Sequence, residues 1–384
     1  MSTPIRVLVI GAGIGGLSAT LALRRIGCEV LVYERNAEVR EIGAGLSYWS
    51  NGLRAAREIG VEEEILRTGS PIEWLENADW TGRPLQRIHV GRLGRHVALG
   101  RTDLLEPLLS AVGAASVRVG HRLERVRQDS GGVTAAFENG AESRGDLLVG
   151  ADGIFSDVRR ELHPRVTPAY AGHVAWRGIA SFEHARFPLG VALSLMGRGK
   201  HFAVEPMTAG RLFWYATKNR PESSEAPAHR GKKGEVRESF RDCADPVPAL
   251  IEATPEEEIF RNRVYDLPRV RPWSRGRVTL LGDAAHAMRP NLGQGACQAV
   301  EDAVVLGACL ARSRDGGEAA LRRYEALRRR RTGWVVYWSR QLSLIEYLEG
   351  PLAAKLRDAW LRLVPGFLNL PWFATLVRFR PERV

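Results

Sequence analysis

Residues 6–16 read RVLVIGAGIGG, a β-branched run that leads directly into a glycine-rich turn. The first five, Arg6 to Ile10, are typical of a parallel strand that is buried on both faces. Residues 17–27 continue with helical periodicity, and a second strand over Glu29–Tyr33 ends at Glu34, which lies 23 positions after Gly11. A GxGxxG turn between a strand and a helix, followed by an acid at about this distance, is the fingerprint of a dinucleotide-binding βαβ unit.

Each part of this fingerprint has a physical role. Gly11 permits the tight turn, Gly13 lets the backbone approach a pyrophosphate, and Gly16 lets the helix pack closely on the strand. Glu34 can accept hydrogen bonds from both ribose hydroxyls and would repel a 2′-phosphate, so FAD or NAD is favoured over NADP at this site. The predicted contacts of the dinucleotide are Gly11, Gly13, Gly15, Gly16 and Glu34.

Two later segments repeat the pattern of a buried strand that ends at a carboxylate. Residues 146–159 read DLLVGADGIFSDVR, with a strand expected over Asp146–Val149. Residues 277–302 read RVTLLGDAAHAMRPNLGQGACQAVED, with a strand expected over Val278–Leu281 and a helix from about Ala296 to Arg312. Ligands of α/β sheets bind at the carboxyl ends of the strands, where both Asp152 and Asp283 would lie.

Together with the first fingerprint, these segments resemble the three signature regions of the single-component, FAD-dependent aromatic hydroxylases. This is the p-hydroxybenzoate hydroxylase-like superfamily of class A flavoprotein monooxygenases, and the most similar branch includes salicylate hydroxylase-like, urate hydroxylase-like and zeaxanthin epoxidase-like enzymes. The resemblance covers about residues 5–330. It implies an α/β fold, in which a Rossmann-like FAD-binding domain (1–168 and 271–330) carries an inserted, mostly antiparallel substrate domain (169–270). Residues 331–384 would form C-terminal amphipathic helices.

The resemblance also implies which residues contact non-covalently bound FAD. Asp283 would hold the ribityl chain, and the N-terminus of the helix after Gly295 would stabilise negative charge on the reduced flavin. Cys297 is expected to be a small packing residue rather than a redox thiol, His286 to be structural, and Asp152 also to cap the following helix. Beyond the first fingerprint, the implied contacts are Arg35, Ser47, Arg101, Val126, Asp152, Asp283, Gly293, Gln294, Gly295, Ala296 and Cys297.

Residues 170–267 show short alternating segments separated by turns, which predicts a mostly antiparallel sheet above the flavin. Residues 219–235 are polar and proline-rich and predict an exposed loop. Alternation cannot fix which face of a strand points inward. The substrate-pocket candidates are Tyr48, Trp49, Trp176, His201, Phe213, Tyr215 and Pro290, and His201 is the nominee for a catalytic base. Urate hydroxylase-like enzymes typically carry arginine and tyrosine at the positions of His201 and Phe213, which argues against urate and for a more apolar substrate.

The activity implied by the resemblance is insertion of one oxygen atom through a flavin C4a-hydroperoxide. The co-substrates would be O₂ and a transiently bound NAD(P)H, and the expected substrate is an apolar aromatic or heteroaromatic molecule from secondary metabolism or aromatic catabolism. No second glycine fingerprint distinguishes NADH from NADPH. A flavin-dependent epoxidase or N-oxygenase, a flavin dehydrogenase or reductase, and a flavin-binding protein without catalytic activity remain alternatives.

Composition and charge argue against several other classes of protein. The net charge is +11, but only five of 55 basic residues are lysine and none lies in a basic, aromatic-rich stretch, so no nucleic-acid partner is expected. Four scattered cysteines predict neither a metal site nor a disulfide framework and favour the cytoplasm. No apolar run reaches the roughly 18 residues of a transmembrane helix. The apolar C-terminal segment is predicted to pack as helices on the side of the sheet. It could also form an apolar entrance for the substrate, a peripheral membrane contact or a dimer surface. The protein is expected to be a monomer or a homodimer.

Overall fold

A computed structural model describes residues 4–39, 44–208, 210–223, 231–313 and 317–383. The strands are β1 (Arg6–Ile10), β2 (Glu29–Tyr33), β3 (Gly45–Tyr48), β4 (Ser70–Pro71), β5 (Trp74–Asp79), β6 (Pro84–His89), β7 (Val97–Gly100), β8 (Val117–Arg118), β9 (Leu123–Asp129), β10 (Gly132–Phe137), β11 (Glu142–Gly145), β12 (Leu147–Gly150), β13 (Ala169–Ser181), β14 (Val191–Met196), β15 (Lys200–Pro206), β16 (Arg211–Asn219), β17 (Phe260–Asp266), β18 (Ser274–Arg275) and β19 (Val278–Leu280). The helices are α1 (Ile14–Arg25), α2 (Ser50–Ile59), α3 (Glu62–Thr68), α4 (Arg101–Val112), α5 (Asp157–Leu162), α6 (Gly231–Phe240), α7 (Val247–Ala253), α8 (Asp283–His286), α9 (Gly295–Ala311), α10 (Glu318–Glu346), α11 (Pro351–Leu363) and α12 (Leu370–Val377).

A six-stranded sheet in the order β18-β19-β12-β1-β2-β8 forms the dinucleotide-binding half. All neighbours are parallel except the edge pair β18–β19. Residues 7–9 of β1 have no exposed surface, because helix α1 and the strands β10 and β11 pack against this sheet. The strands expected at 146–149 and 278–281 are found at Leu147–Gly150 and Val278–Leu280, so both predicted carboxylate turns follow strands of this sheet. The predicted Rossmann-like fold class is confirmed.

A seven-stranded sheet in the order β17-β13-β16-β15-β14-β5-β6 forms the second half. Its neighbours are antiparallel except β14 and β5, which pair in parallel from Val191 opposite Trp74 to Met196 opposite Asp79. Residues 74–89 therefore belong to this sheet although they precede the range 169–270. The long separation in sequence gave no signal of this pairing, because β5 and β14 are joined only by non-local hydrogen bonds.

The prediction of an exposed loop over 219–235 is wrong at its C-terminal end. Residues 224–230 lie outside the described part of the chain, and Gly231 begins helix α6. The carboxylate of Glu256 accepts hydrogen bonds from the backbone N–H groups of Lys232 and Lys233, 2.8 and 2.9 Å away, and so caps this helix. The helix is held because Val236 and Phe240 are buried beneath the seven-stranded sheet.

The predicted C-terminal helical flank is present. Helix α10 is a single helix of 29 residues, Glu318–Glu346, so the boundary expected at residue 331 falls inside it. It packs on α9 and is followed by α11 and α12. Within the described residues, no helix combines the length and the apolar character that crossing a bilayer requires.

A buried ion network joins α9 to α10. Arg328 of α10 has no exposed surface, and its guanidinium donates hydrogen bonds to Glu301 at 2.6 Å and to Asp302 at 2.5 Å, both on α9 and both fully buried. Asp302 also accepts hydrogen bonds from the backbone N–H of Gly282 at 3.0 Å and from Nε2 of His286 at 2.6 Å. The network therefore fixes the turn that carries Asp283, and His286 is structural as expected.

We expect Arg328→Met to lower the free energy of unfolding by about 3–5 kcal/mol, because two buried carboxylates would lose the guanidinium that pairs with both of them. Chemical denaturation of the variant and the wild type measures this difference. Arg322→Met on the same helix is the matched control: its side chain is 65% exposed and pairs with Glu318 on the surface, so it should cost less than about 1 kcal/mol. Equal stability of the two variants would contradict the role assigned to Arg328.

Candidate active site

Two glycines of the first loop leave no room for a side chain. Gly11 has a φ of +104°, and a Cβ there would overlap the carbonyl oxygen of Ala151. A Cβ on Gly16 would overlap the carbonyl oxygen of Gly11. Helix α1 begins directly after Gly13, with no side-chain cap and no acidic residue in its first turn. Its N-terminal amides and the positive end of its dipole thus suit a pyrophosphate.

Glu34 is buried at the end of β2 and braces this loop. Its Oε2 accepts a hydrogen bond from the backbone N–H of Ala12 at 3.0 Å. Its Oε1 accepts from the backbone N–H and the side-chain amide of Asn36, at 3.0 and 2.8 Å. A carboxylate oxygen can accept more than one hydrogen bond, so Glu34 retains capacity for a ribose hydroxyl. Arg35, the next residue, is exposed.

The first loop lies against the Gly282–Asp283 turn. A Cβ on Gly15 would lie 3.0 Å from Cδ2 of Leu281 and 3.4 Å from the Cβ of Ala299 in α9. Gly282 has a φ of +63°, a conformation that favours glycine. The exposed carboxylate of Asp283 stands on the wall of the large cavity described below. The start of α1, the Asp283 turn and the first turns of α9 therefore converge on one side of the sheet.

Asp152 caps helix α5, as the sequence suggested. Its carboxylate accepts hydrogen bonds from the hydroxyl of Ser156 at 2.5 Å and from the backbone N–H groups of Asp157 and Val158 at 2.7 and 3.1 Å. Burial is the largest influence on this carboxyl and raises its pKa, against the lowering effect of these hydrogen bonds. The side chain holds the loop after β12, and a contact with FAD stays a prediction.

Residues 290–296 form a turn that leads into α9. Gly293 has a φ of +59°, and a Cβ there would lie 3.1 Å from both Cβ of Ser47 and Nε1 of Trp49. Gln294 is buried, and its Oε1 accepts a hydrogen bond from Nδ2 of Asn51 at 2.9 Å. A Cβ on Gly295 would meet no atom within 4 Å, so the backbone at the start of α9 faces open space that can admit a planar ring.

Cys297 points away from that space. Its sulfur accepts a hydrogen bond from the backbone N–H of Trp49 at 3.4 Å, and the residue has no exposed surface. Burial raises the pKa of its thiol to about 12, so a thiolate is absent at neutral pH. The arrangement agrees with a packing role for the side chain.

A single cavity of about 1290 Å³ runs from this turn across the face of the seven-stranded sheet to α10, α11 and α12. Its walls are mostly apolar, with Leu193, Phe213, Trp338 and Trp372 among them. The sequence-predicted residues that line it are Ser47, Trp49, Arg101, His201, Phe213, Tyr215, Asp283, Pro290, Gly293, Gln294, Gly295 and Ala296. The remaining predicted contacts of FAD lie outside it, at the first loop, the end of β2, β9 (Val126), the α5 loop (Asp152) and the α9 interior (Cys297).

Two pocket candidates are wrong. Trp176 is fully buried on the opposite face of the sheet, where its ring contacts Phe240 of α6 with centroids 5.9 Å apart. Side chains alternate along a strand, so the neighbouring Arg177 faces the cavity instead. Tyr48 is likewise turned inward, and its hydroxyl donates to the carbonyl oxygen of Gly52 at 3.1 Å. Sequence alternation alone could not select between the two faces.

His201 lies on the cavity wall, but it is a weak proton acceptor. Burial is the largest cause that lowers its pKa to about 4, and the nearby charge of Arg357 acts in the same direction. Its Nε2 lies 2.7 Å from the hydroxyl of Ser194, with which it forms a hydrogen bond. The ring is therefore neutral near pH 7 and has a low affinity for a second proton.

The sequence argument missed six charged residues on the cavity wall: Arg177, Glu205, Lys232, Arg261, Arg263 and Glu346. Glu205 accepts a hydrogen bond from the hydroxyl of Ser47, and burial raises its pKa to about 7. Glu346 accepts from the side-chain amide of Asn291 at 2.6 Å, and burial also raises its pKa to about 7. The sequence carried a signal for Glu205, since an acid that follows the apolar run Phe202–Val204 within a strand is unusual.

These residues fit FAD. Two helix N-termini without side-chain caps, at Ile14 and Gly295, would face the pyrophosphate and the pyrimidine edge of the flavin. Glu34 would hold the ribose and Asp283 the ribityl chain. The open space in front of Gly295 belongs to the large cavity, so a ring placed there would face the apolar walls.

Comparison with known proteins gives the same assignment. The sequence profile of a family described as FAD binding domain matches residues 4–339. The chain is 35% identical over 369 residues to an aurachin C monooxygenase/isomerase of Stigmatella aurantiaca, a match that covers 95% of each protein. It is 36% identical over 335 residues to an FAD-dependent urate hydroxylase of Klebsiella pneumoniae, covering 84% of this chain and 86% of that protein.

The structure is similar to a solved one over almost its whole length. The crystal structure of Klebsiella pneumoniae HpxO complexed with FAD and uric acid superimposes with a TM-score of 0.91 at 32% sequence identity, and 97% of each chain is covered. The cofactor in that complex is the one that the three motifs of this sequence predict. Since the family match and these relatives span most of the chain, the protein belongs to the FAD-dependent class A monooxygenases.

Proposed function

We propose that this FAD-dependent monooxygenase hydroxylates an apolar aromatic or heteroaromatic small molecule. The observation that carries the proposal is the continuous, mostly apolar cavity that joins the Gly293–Ala296 turn to the C-terminal helices. Pockets lined mainly by hydrophobic side chains, with few polar groups to fix orientation, bind apolar ligands. The flat side chains of Trp49, Phe213 and Trp338 suit the faces of an aromatic ring.

The protein's contribution to the reaction is binding, orientation and exclusion of water. FAD, when bound and reduced by NAD(P)H, supplies the activation of O₂ and the transfer of one oxygen atom. The start of α9 would present backbone N–H groups to the flavin and stabilise negative charge there. Residues of α10 and α12, among them Leu342 and Phe373, cover the other end of the cavity and limit the access of water.

Two positions of the cavity wall argue against urate, the substrate named for one relative. A polar, anionic purine needs several hydrogen bonds and a positive charge. At the two positions where urate hydroxylase-like enzymes typically carry arginine and tyrosine, this chain has the neutral His201 and the apolar Phe213. These two side chains supply no positive charge and few hydrogen bonds. Epoxidation or N-oxygenation by the same cofactor would use the same cavity, and the product distinguishes these reactions from hydroxylation.

The test is to supply the holoenzyme with NADH or NADPH, ¹⁸O₂ and a panel of lipophilic phenols, quinolines and indoles. We expect at least one compound to stimulate NAD(P)H oxidation and to acquire one ¹⁸O atom on a ring carbon, measured by mass spectrometry. An epoxide or N-oxide would move the assignment to the alternatives. Oxidation of a compound without any incorporation of ¹⁸O would instead favour a dehydrogenase and would contradict the proposal.

Asp283→Ala should weaken FAD binding by roughly 10- to 100-fold, because a hydrogen bond to a charged group contributes about 1.5–3 kcal/mol. Asp283 is exposed, so the apoprotein should remain folded, with an unchanged melting temperature. Asp129→Ala is the control and should retain FAD. Asp129 is an exposed carboxylate that pairs with Arg144 on the three-stranded sheet β11-β10-β9. Titration of the apoproteins with FAD by fluorescence decides this, and equal affinities would contradict the ribityl assignment.

We also propose that the C-terminal face contacts an anionic membrane surface, from which a lipophilic substrate would enter. On α11, Leu352, Leu356 and Leu363 are 70%, 62% and 80% exposed and lie along one side of the helix. Trp360, on the same side, is half-exposed and also lines the cavity, so the apolar face continues into the cavity wall. The exposed Lys355 beside these residues suits anionic headgroups.

The double variant Leu356→Glu/Leu363→Glu should reduce binding to phosphatidylglycerol-containing vesicles by at least about tenfold, since two apolar contacts are lost. Leu189→Glu is the matched control, because Leu189 is 72% exposed but lies on the loop before β14. Co-sedimentation with anionic and with zwitterionic vesicles measures both. If the wild type ignores vesicles but forms a dimer that the double variant cannot form, this face is a homodimer interface and not a membrane contact. A cytoplasmic location, on the inner face of a membrane, goes with this proposal.

A further inference from the structure

Glu205 presents an unpaired oxygen to the cavity. It lies on β15, on the same face as His201 and Ala203, and all three line the cavity. The hydroxyl of Ser47 donates a hydrogen bond to its Oε1, whereas its Oε2 is buried and has no hydrogen-bond partner among the described residues. Burying a carboxyl oxygen without a partner is costly, so such a group usually serves a ligand.

This carboxyl lies between the Gly293–Ala296 turn and the apolar wall of the cavity. Its partner Ser47 is adjacent to Gly293, where a Cβ would lie 3.1 Å from the Cβ of Ser47. On the other side, Glu205 is opposite Phe213 in the pairing of β15 with β16, and Phe213 lines the cavity. A ring that stacks in the cavity next to the flavin would therefore meet Oε2 at its edge.

The charged and titratable groups on the neighbouring elements do not neutralise Glu205. They are Arg101 at the start of α4, Arg177 on β13, Tyr215 on β16 and His201 on β15 itself. Arg177 donates a hydrogen bond to Asn262 at 2.6 Å and lies over the ring of Tyr215. Among the described residues, none of the four forms an ion pair or hydrogen bond with Glu205. Burial is accordingly the main influence on this carboxyl, and its pKa is raised to about 7.

We propose that Glu205 is the group that accepts a proton from the substrate, and that the substrate accordingly carries an acidic hydroxyl or ring N–H. This inference rests on the proposed function. The O–H or N–H bond of the substrate breaks, a new O–H bond forms at Oε2 of Glu205, and the electron pair stays on the substrate and spreads into its ring. The carbon that receives the oxygen atom becomes more electron-rich, and no oxidant or reductant is consumed in this step.

Neither of the other candidates on the wall meets the same requirements. The Nδ1 of His201 is buried without a hydrogen-bond partner among the described residues, but the low pKa of the ring makes it a poor proton acceptor. Glu346 accepts a hydrogen bond from the side-chain amide of Asn291, and neither of its oxygens is buried without a partner among the described residues. An efficient general base has a pKa near the working pH and a free lone pair directed at the substrate.

The first test measures binding of 4-nitrophenol to the holoenzyme over a range of pH. Below a pH of about 7 the wild type holds a neutral carboxyl, and above it a carboxylate that repels the ionised phenol. Wild-type affinity should therefore fall by at least about tenfold on the alkaline side, while Glu205→Gln, which carries no charge, should show no such fall. Asp129→Asn, at an exposed carboxylate on β9 that lies outside the cavity, is the control and should keep the wild-type pH dependence.

Thermal stability supplies a readout that needs no ligand. The folded pKa of Glu205 lies above that of an unfolded glutamate, so this group destabilises the fold progressively as the pH rises from the unfolded value to about 7. The melting temperature of Glu205→Gln should therefore exceed that of the wild type at alkaline pH but not at acidic pH. Should this variant fail to accumulate, Ser47→Ala tests the same group, since loss of its hydrogen bond should move the pH dependence of 4-nitrophenol binding to higher pH.

With a substrate identified by ¹⁸O incorporation, Glu205→Gln should lower kcat by roughly 10²- to 10⁴-fold and abolish the rise of kcat through neutral pH. Binding and melting do not depend on turnover, so a failure of the proposed function leaves them interpretable. Identical pH dependence of 4-nitrophenol binding in the wild type and Glu205→Gln, or its loss in Glu346→Gln instead, would overturn the assignment.

Discussion

Arg328 sits in the interior between α9 and α10, where water cannot solvate its charge, and the adjacent carboxylates of Glu301 and Asp302 supply the compensation. Burial alone would raise the pKa of Glu301, yet the charges of Arg328 and Arg331 hold it below its ordinary value. The two acids in turn hold neighbouring residues in place through hydrogen bonds. Asp302 holds Gly282, and Glu301 accepts a hydrogen bond from Asn51 at 2.7 Å, which in turn binds Gln294. Both turns that would face FAD are therefore anchored to a single buried guanidinium.

The second constraint is the pleat of the seven-stranded sheet. Because side chains alternate, one face packs Trp176, Trp214 and Phe240 against α6 and α7, and the other presents His201, Glu205 and Phe213 to the cavity. The core on the first face makes the sheet rigid enough to act as a wall. The cavity on the second face is closed not by the sheet but by α10, α11 and α12, so the C-terminal segment forms part of the cavity wall.

The buried acidic residues of this protein differ in their protonation state. Glu301 and Asp302 are buried with arginine and remain charged, which suits a structural anchor. Glu205 is buried beside a hydroxyl and has no countercharge among the described residues, so its proton is held until neutral pH. The same side-chain type thus serves as a fixed charge in one place and as a group able to exchange a proton in the other, and the difference lies in the neighbours that the fold brings to each.

The sequence by itself determined the dinucleotide-binding unit, the three motif turns and the cofactor, because these depend on short-range requirements: Gly11 and Gly16 leave no space for a Cβ, and Asp152 and Asp283 follow their strands directly. It also located the antiparallel region and the helical flank, through periodicity. Only the tertiary structure decided that residues 74–89 join the second sheet, that Trp176 and Tyr48 face away from the cavity, and that Arg328 anchors the turns that would face FAD. Strand register, the orientation of each sheet face and buried ion pairs all depend on contacts between residues that are far apart in the chain. The local sequence pattern therefore cannot predict which distant residues will be in contact.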